Sequence, residues 1–312
     1  MGGAGEDRRR PHKMQASKDM TQQPHLFCFG LGYTALALAR ALVGQGPSGG
    51  WQVTGTFRDV AHAQAAKELG VEIVIFDRDH PIADLDRRIA TATHLLSSVP
   101  PDETGDPVLD VHGAAIARAA PQLQWIGYLS TTGVYGDRQG DWVDESSALT
   151  PSGERGRRRL AAETAWLDLP QPAHLFRLAG IYGPGRSALD TVRSGKARRV
   201  VKPGQVFSRI HRDDIVQVLR ASIARPNPGA AYNVCDDDAA DPAEVITYAC
   251  ALLNVAPPPV VPYAEAQLSP MARSFYDDNK RVRNDRIKRE LGVVLKYPDY
   301  RAGLGALLAA ES

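Results

Sequence analysis

The chain has 312 residues, 43% of them hydrophobic and 23% charged, with a formal net charge of +1. That length holds one large domain, or a domain with a smaller lobe, around a sizeable core. So even a charge balance argues against a general nucleic-acid or membrane-surface binder, since both need a basic excess to neutralise phosphates. Cys28, Cys235 and Cys250 are odd in number and form no CxxC pair, so the expectation is buried thiols in a reducing cytoplasm rather than a disulfide framework. No run approaches the ~18 consecutive apolar residues of a membrane span.

Residues 1–24, with EDRRRPHK, have neither an apolar signal core nor any periodicity, which predicts a disordered tail or an upstream start, with Met14 and Met20 as alternative starts. From His25 onward short apolar runs alternate with helical patterns. The runs are LFCFG, WQVTGTF, VEIVIFD, THLLSSV, QWIGYLS and AHLFRLAG. Helices are predicted between them at 33–43, 60–69, 83–92, 108–119 and 157–169, with Gly70 capping the second and Pro121 stopping the fourth. Six strands joined by helical crossovers predict an α/β fold, a doubly wound parallel sheet of Rossmann type over residues 25–183. After Gly183 the alternation fails, so 184–312 is expected to be mainly a smaller C-terminal lobe, with some segments returning to the sheet. Within it DPAEVITYACALL reads as a helix with Asp241 as N-cap, Pro242 at the first position and Glu244 closing a capping box. APPPVVP reads as a stiff connector, and RIKREL as a last marked helix ending at Gly292.

LFCFGLGYTALALARAL sets Gly30, Gly32 and Ala35 in a GxGxxA pattern directly after a strand and at the start of a helix. Gly30 permits the tight turn, Gly32 lets backbone approach a pyrophosphate, and Ala35 keeps the helix close to the sheet. Free N–H groups at the helix start, beside Tyr33, face the phosphates. An NAD-selective site carries Asp or Glu at the end of the second strand, yet no acidic residue lies between Tyr33 and Phe57. The strand ends in GTFR, so Arg58 is placed to meet a 2′-phosphate, and NADP is expected over NAD. The alternative for Arg58 is a solvated surface residue. Asp77, ending the third run, is a candidate for the adenine or for a cap, and Ser97 in the fourth run joins the candidate cofactor residues.

YLSTTGVYG, DESSALTP, LAAE, RLAGIYGPGR and IHRDDI follow in that order. With this set of motifs the chain, from residue 25 to its C-terminus, resembles the extended and atypical branches of the short-chain dehydrogenase/reductase superfamily, the NAD-dependent epimerase/dehydratase group. The resemblance implies a six- or seven-stranded Rossmann domain with a C-terminal substrate lobe. It also implies a Ser or Thr after the fifth strand, and Tyr and Lys in YxxxK on the next helix, acting as acid or base and as its pKa-lowering, ribose-holding partner. Counted from TGVYG, Thr131 takes the Ser/Thr position. Counted back from Glu163 in LAAE, the tyrosine position is Arg155 and the lysine position Arg159. No shift of register repairs this, because no lysine lies between Lys67 and Lys196 and no tyrosine between Tyr135 and Tyr182.

Arginine is a poor proton exchanger near neutral pH, but Arg155 is able to polarise an oxygen or hold an anion, and Arg159 to donate to ribose hydroxyls. Solvated helix residues are the alternative for both. Tyr135 and Tyr182, expected near the cofactor mouth, are the nearest phenols for proton transfer, or else buried structural tyrosines. Between Arg186 and Arg212 eight Lys or Arg residues stand against Asp190 alone. This suits a small anionic or nucleotide-sugar-like substrate, with Tyr182 and Arg209 as contacts, or a solvated basic face. No His/Cys/Asp grouping has metal-ligand spacing. The expectation is an NADP-binding oxidoreductase or epimerase, with a homodimer by analogy to relatives. A non-catalytic NADP-binding redox sensor or scaffold is the alternative.

Overall fold

The structure is a computed structural model that describes residues 23–43 and 50–311. The predicted tail at 1–24, with Met14 and Met20, thus lies almost wholly outside the described residues. The strands are β1 His25–Phe29, β2 Gln52–Phe57, β3 Glu72–Ile75, β4 His94–Ser97, β5 Trp125–Thr131, β6 Trp142–Val143, β7 His174–Leu178, β8 Gly180–Tyr182, β9 Arg199–Val201, β10 Arg209–His211, β11 Ala231–Val234, β12 Val260–Pro262 and β13 Arg281–Val282. The helices are α1 Tyr33–Val43, α2 Gln64–Lys67, α3 Leu85–Ile89, α4 Pro107–Ala119, α5 Glu154–Leu167, α6 Ala188–Arg193, α7 Arg212–Ala224, α8 Pro242–Leu252, α9 Pro270–Tyr276, α10 Asp285–Leu291 and α11 Tyr300–Ala309.

Seven strands form one parallel sheet in the order β11-β7-β5-β4-β1-β2-β3. The order reverses between β1 and β4, and a doubly wound sheet opens its ligand crevice at such a switch point. Period-two alternation covers both faces. Leu26 and Cys28 enter one core with Leu38, Ala39, Ile215 and Ile287, while Phe27 and Phe29 enter the other with Leu85, Ile116 and Trp166. Strands buried on both sides need near-continuous apolar runs, as the six recognised in the sequence are. β11 is the seventh strand and lies beyond Gly183, pairing with β7 from Ala231↔Leu175 to Val234↔Leu178.

Several element boundaries differ from expectation. The helix predicted over 60–69 breaks into a 3-10 turn at Val60–Ala63 and the single turn α2. Helix α5 starts at Glu154 rather than 157, where Glu154 accepts from Arg157 and Arg158 one turn on. Asp241 caps α8 by accepting from the Ala243 N–H, but no capping box closes with Glu244. Gly292 ends α10 in the left-handed region, as the sequence suggests. A third apolar cluster packs α6, α8 and α11 around Leu189, Ala249 and Leu304. Among the described residues no helix is long and apolar enough to cross a membrane, and no group of three His, Cys, Asp or Glu is poised for a metal ion.

Candidate functional site

The turn between β1 and α1 is shaped by its glycines. Gly30 has φ +77°, and a Cβ there would meet Val99 Cγ2 at 3.0 Å and Ser98 Oγ at 3.1 Å. A Cβ on Gly32 would meet nothing within 4 Å, so the backbone at that residue faces open space. The Gly30 N–H donates to Thr56 Oγ1 at 2.8 Å, and the Ser98 hydroxyl donates to the Gly30 carbonyl, fixing the turn against β2 and β4. Ala35 is buried in the first core, where a larger side chain would push α1 off the sheet. Arg58 follows β2, is exposed, and makes no side-chain hydrogen bond or ion pair among the described residues.

Two candidate cofactor residues are not free to meet a ligand, one engaged in its own turn and the other buried. Asp77 accepts from the backbone N–H groups of Asp79 and His80 and from the His80 ring. That last bond is the chief reason its carboxyl lies below the usual range. The carboxylate therefore closes its own turn rather than standing free for an adenine. Ser97 is wholly buried, with an Oγ that has no partner among the described residues. It cannot touch a cofactor, and the expectation for it is corrected. Its neighbour Ser98, which the sequence analysis passed over, holds the glycine turn instead.

Thr131 ends β5 and caps the next turn, its hydroxyl accepting from the Gly133 N–H at 3.2 Å. Arg155 is exposed on α5 with its guanidinium over the Phe275 ring, 5.7 Å from the centroid. Arg159 is half-buried, donating from Nη1 to the Leu129 carbonyl at 2.5 Å and lying over the Tyr128 ring. One end of its fork is thus committed to β5. Tyr135 is corrected outright as a proton donor. It is fully buried; its hydroxyl donates to Asn233 Oδ1 at 2.7 Å and accepts from Arg177 Nη1 at 2.9 Å. Burial pushes that phenol up to about 12.

These last contacts belong to a buried network. Glu163, which in the sequence served only to set the register of α5, accepts from Arg177 Nη2 at 2.9 Å and from the Ser130 hydroxyl. Both charges are almost wholly buried. The chain Ser130–Glu163–Arg177–Tyr135–Asn233 ties α5 to β5, β7 and β11. An unpaired charge at such a depth costs several kcal/mol, so each member holds its neighbours in place. No local sequence pattern marks it, because the partners lie 14 to 98 residues apart.

A cavity of about 500 Å³ opens between β8, β10, α6, α8 and α11, and its lining includes Tyr182, Arg186, Lys196, Arg209 and Tyr300. Tyr182 presents its ring there, while its hydroxyl donates to the Asp299 carbonyl at 3.3 Å and burial raises its pKa. Arg209 Nη1 donates to the carbonyls of Phe207 and Ala240 at 2.8 and 3.1 Å. Burial disfavours its charge, and also holds the neighbouring Asp236 carboxyl well above the usual range. Asp190, the acidic residue of the lining, is engaged by the N–H and hydroxyl of Ser187. The structure therefore brings Tyr182 and Arg209 together in one cavity, keeps the glycine turn open and turns Tyr135 and Ser97 inward.

No family model matches the chain, and no curated protein matches it. Solved structures do. A conserved Silicibacter pomeroyi protein of unknown function is 53% identical, with a TM-score of 0.86, covering 92% of this chain and 99% of its own. A Methylobacillus flagellatus protein with the provisional description NAD-dependent epimerase/dehydratase is 28% identical, with a TM-score of 0.71, covering 93% and 99%. UDP-glucuronic acid 4-epimerase from Bacillus cereus, solved in complex with NAD, has a TM-score of 0.70 at 14% identity over 90% and 96%, a likeness of fold. With the motif order, the seven-stranded sheet and the glycine turn in place, the chain has the fold of the extended short-chain dehydrogenase/reductase structures and is similar to proteins of the epimerase/dehydratase-like branch.

Proposed function

We propose that the chain binds NADP at the crevice above Gly30 and Gly32 and acts as an oxidoreductase or epimerase on a small anionic substrate, which a nucleotide sugar would also satisfy. The observation that carries the cofactor reading is Arg58, an exposed cation without a partner among the described residues, at the end of a strand where an NAD site would place a carboxylate. The open backbone at Gly32 and the left-handed turn at Gly30 fit a pyrophosphate. A bound nicotinamide ring supplies the hydride chemistry. Thr131 donates its hydroxyl hydrogen to a substrate oxygen, and Arg155 adds positive charge beside it. Neither exchanges a proton with a base at neutral pH, so the proton comes from solvent. Tyr182 and Arg209 line the substrate cavity.

Titration of the purified chain with both coenzymes tests this reading. Wild-type protein is expected to favour NADPH over NADH, and Arg58→Ala to weaken NADPH alone by about tenfold or more, the loss of one charge-assisted contact. Equal affinities that Arg58→Ala leaves unchanged refute the NADP reading. The second reading, a non-catalytic NADP-binding sensor or scaffold, is favoured by one feature: arginine stands at both the Tyr and the Lys position of α5. Turnover of any carbonyl compound or nucleotide sugar with NADPH, lowered by Thr131→Ala, excludes it.

A further inference from the structure

Tyr33 follows Gly32 directly, and its ring carries two arginines from distant parts of the chain. The guanidinium of Arg212 lies 5.0 Å from the ring centroid and that of Arg186 lies 5.8 Å from it. The loop bearing Arg186 is fastened to the glycine turn: the Tyr33 hydroxyl donates to the Pro184 carbonyl at 3.1 Å, and Gly183 and Arg186 exchange both backbone hydrogen bonds at 3.0 Å. The approach is close enough that a Cβ on Gly183 would meet the Tyr33 hydroxyl at 2.6 Å and Arg212 Cβ at 3.2 Å. Segments about 150 and 180 residues beyond Tyr33 along the chain thus converge on the first turn of α1.

A guanidinium held over a ring by its charge still has N–H groups able to donate to another acceptor. Arg186 makes no side-chain hydrogen bond or ion pair among the described residues. Arg212 has Asp213, whose Oδ1 accepts from Nε and Nη2 at a long 3.3 Å, while Nη1 makes no hydrogen bond among the described residues. No acidic residue follows in α1 or β2. Two guanidinium groups, set against the carboxylates of Asp213 and Asp190, therefore lie beside the open backbone at Gly32.

We propose that Arg186 and Arg212, held over the Tyr33 ring, form a cationic clasp that binds the diphosphate of the dinucleotide. Planar forks suit phosphate oxygens, and two of them match a diphosphate. The clasp rests on the reading that a nicotinamide dinucleotide binds here, and it is independent of the choice between NADP and NAD.

The experiment is a calorimetric titration of the full chain with NADPH, NADH, ADP-ribose and 2′-AMP. Arg186→Ala, Arg212→Ala and Arg212→Lys are compared with Arg58→Ala. Each clasp variant to alanine is expected to weaken NADPH, NADH and ADP-ribose together by about tenfold, one decade per lost charged contact. 2′-AMP, which has no diphosphate, should stay unchanged in them and weaken only in Arg58→Ala. Arg212→Lys keeps the charge and should recover part of the loss. Arg186 is exposed, so its variant is expected to keep the wild-type urea midpoint. Wild-type affinities in Arg186→Ala and Arg212→Ala overturn the clasp even if Arg58 behaves as proposed. Weakening of both coenzymes in those variants, with no effect of Arg58→Ala, upholds the clasp and removes the NADP preference. A wild-type chain that binds neither coenzyme overturns both.

Discussion

At the amino end of the central sheet, the first residues of β1, β4 and β7 are the histidines His25, His94 and His174, all buried. His94 lies 4.5 Å from Trp51 and His174 5.6 Å from Trp125, centroid to centroid. His174 bonds the Ile126 carbonyl through Nδ1 and accepts from the Asn227 N–H through Nε2. At the carboxyl end of the same strands the chain turns through Gly30, leaves Arg58 exposed and stops β5 at a Thr131 hydroxyl. One end is sealed with neutral rings. The other gives up packing and keeps cations and backbone N–H groups uncovered. In an open parallel sheet the carboxyl end is where ligands sit, so the amino end is free to be spent on stability.

The largest expected effect tests what joins the two ends. Arg177 is the last residue but one of β7 and holds Glu163 of α5. Arg177→Ala strands that carboxylate in the core and should cost about 3–5 kcal/mol of stability in urea unfolding. A loss below ~1 kcal/mol would mean that α5 is held by apolar packing through Trp166 alone.

Acid should break the amino end first. Burial lowers His94 to about 4 in the folded chain, against 6.5 when unfolded. Between those values the unfolded state binds the extra proton, so stability falls as pH drops from 6.5 towards 4 and is fully retained above 6.5. One such histidine costs about 2 kcal/mol on going from pH 7 to 5. His25 and His174 are lowered by burial as well and act in the same direction. NMR titration of the His94 ring checks the value, and a midpoint near 6.5 would remove the argument.

The smallest effect belongs to Arg155. It is exposed, and among the described residues its guanidinium lies over the Phe275 ring without a hydrogen bond or ion pair, so Arg155→Ala should change stability by less than about 0.5 kcal/mol and leave coenzyme affinity alone. A larger loss in urea unfolding would show that this contact fastens α9 to α5.

The legible parts of the sequence were those governed by local rules. All six apolar runs are strands of the sheet, and the GxGxxA spacing marks a turn that needs a left-handed residue at Gly30. β11 escaped because AYNV is short and carries Asn233, whose side chain is not exposed but accepts from the Tyr135 hydroxyl and donates to the Arg283 carbonyl. Tyr135 was left open between cleft and core for a related reason. A tyrosine in a motif is an equally good candidate for a cleft or a core until its hydroxyl partners are known, and here they lie 42 and 98 residues away.

By itself the sequence determined the strand–turn–helix of β1 and α1, the absence of an acidic residue between Tyr33 and Phe57, and the arginines at 155 and 159 of α5. These depend on residue identity, spacing and backbone freedom within a few neighbours. Tertiary structure alone decided which side chains face the crevice. It turned Arg159 onto the Leu129 carbonyl, buried Glu163 against Arg177, and brought Arg186 and Arg212 to Tyr33. Such pairings are set by how a doubly wound sheet folds remote segments over one another, and no local period records them.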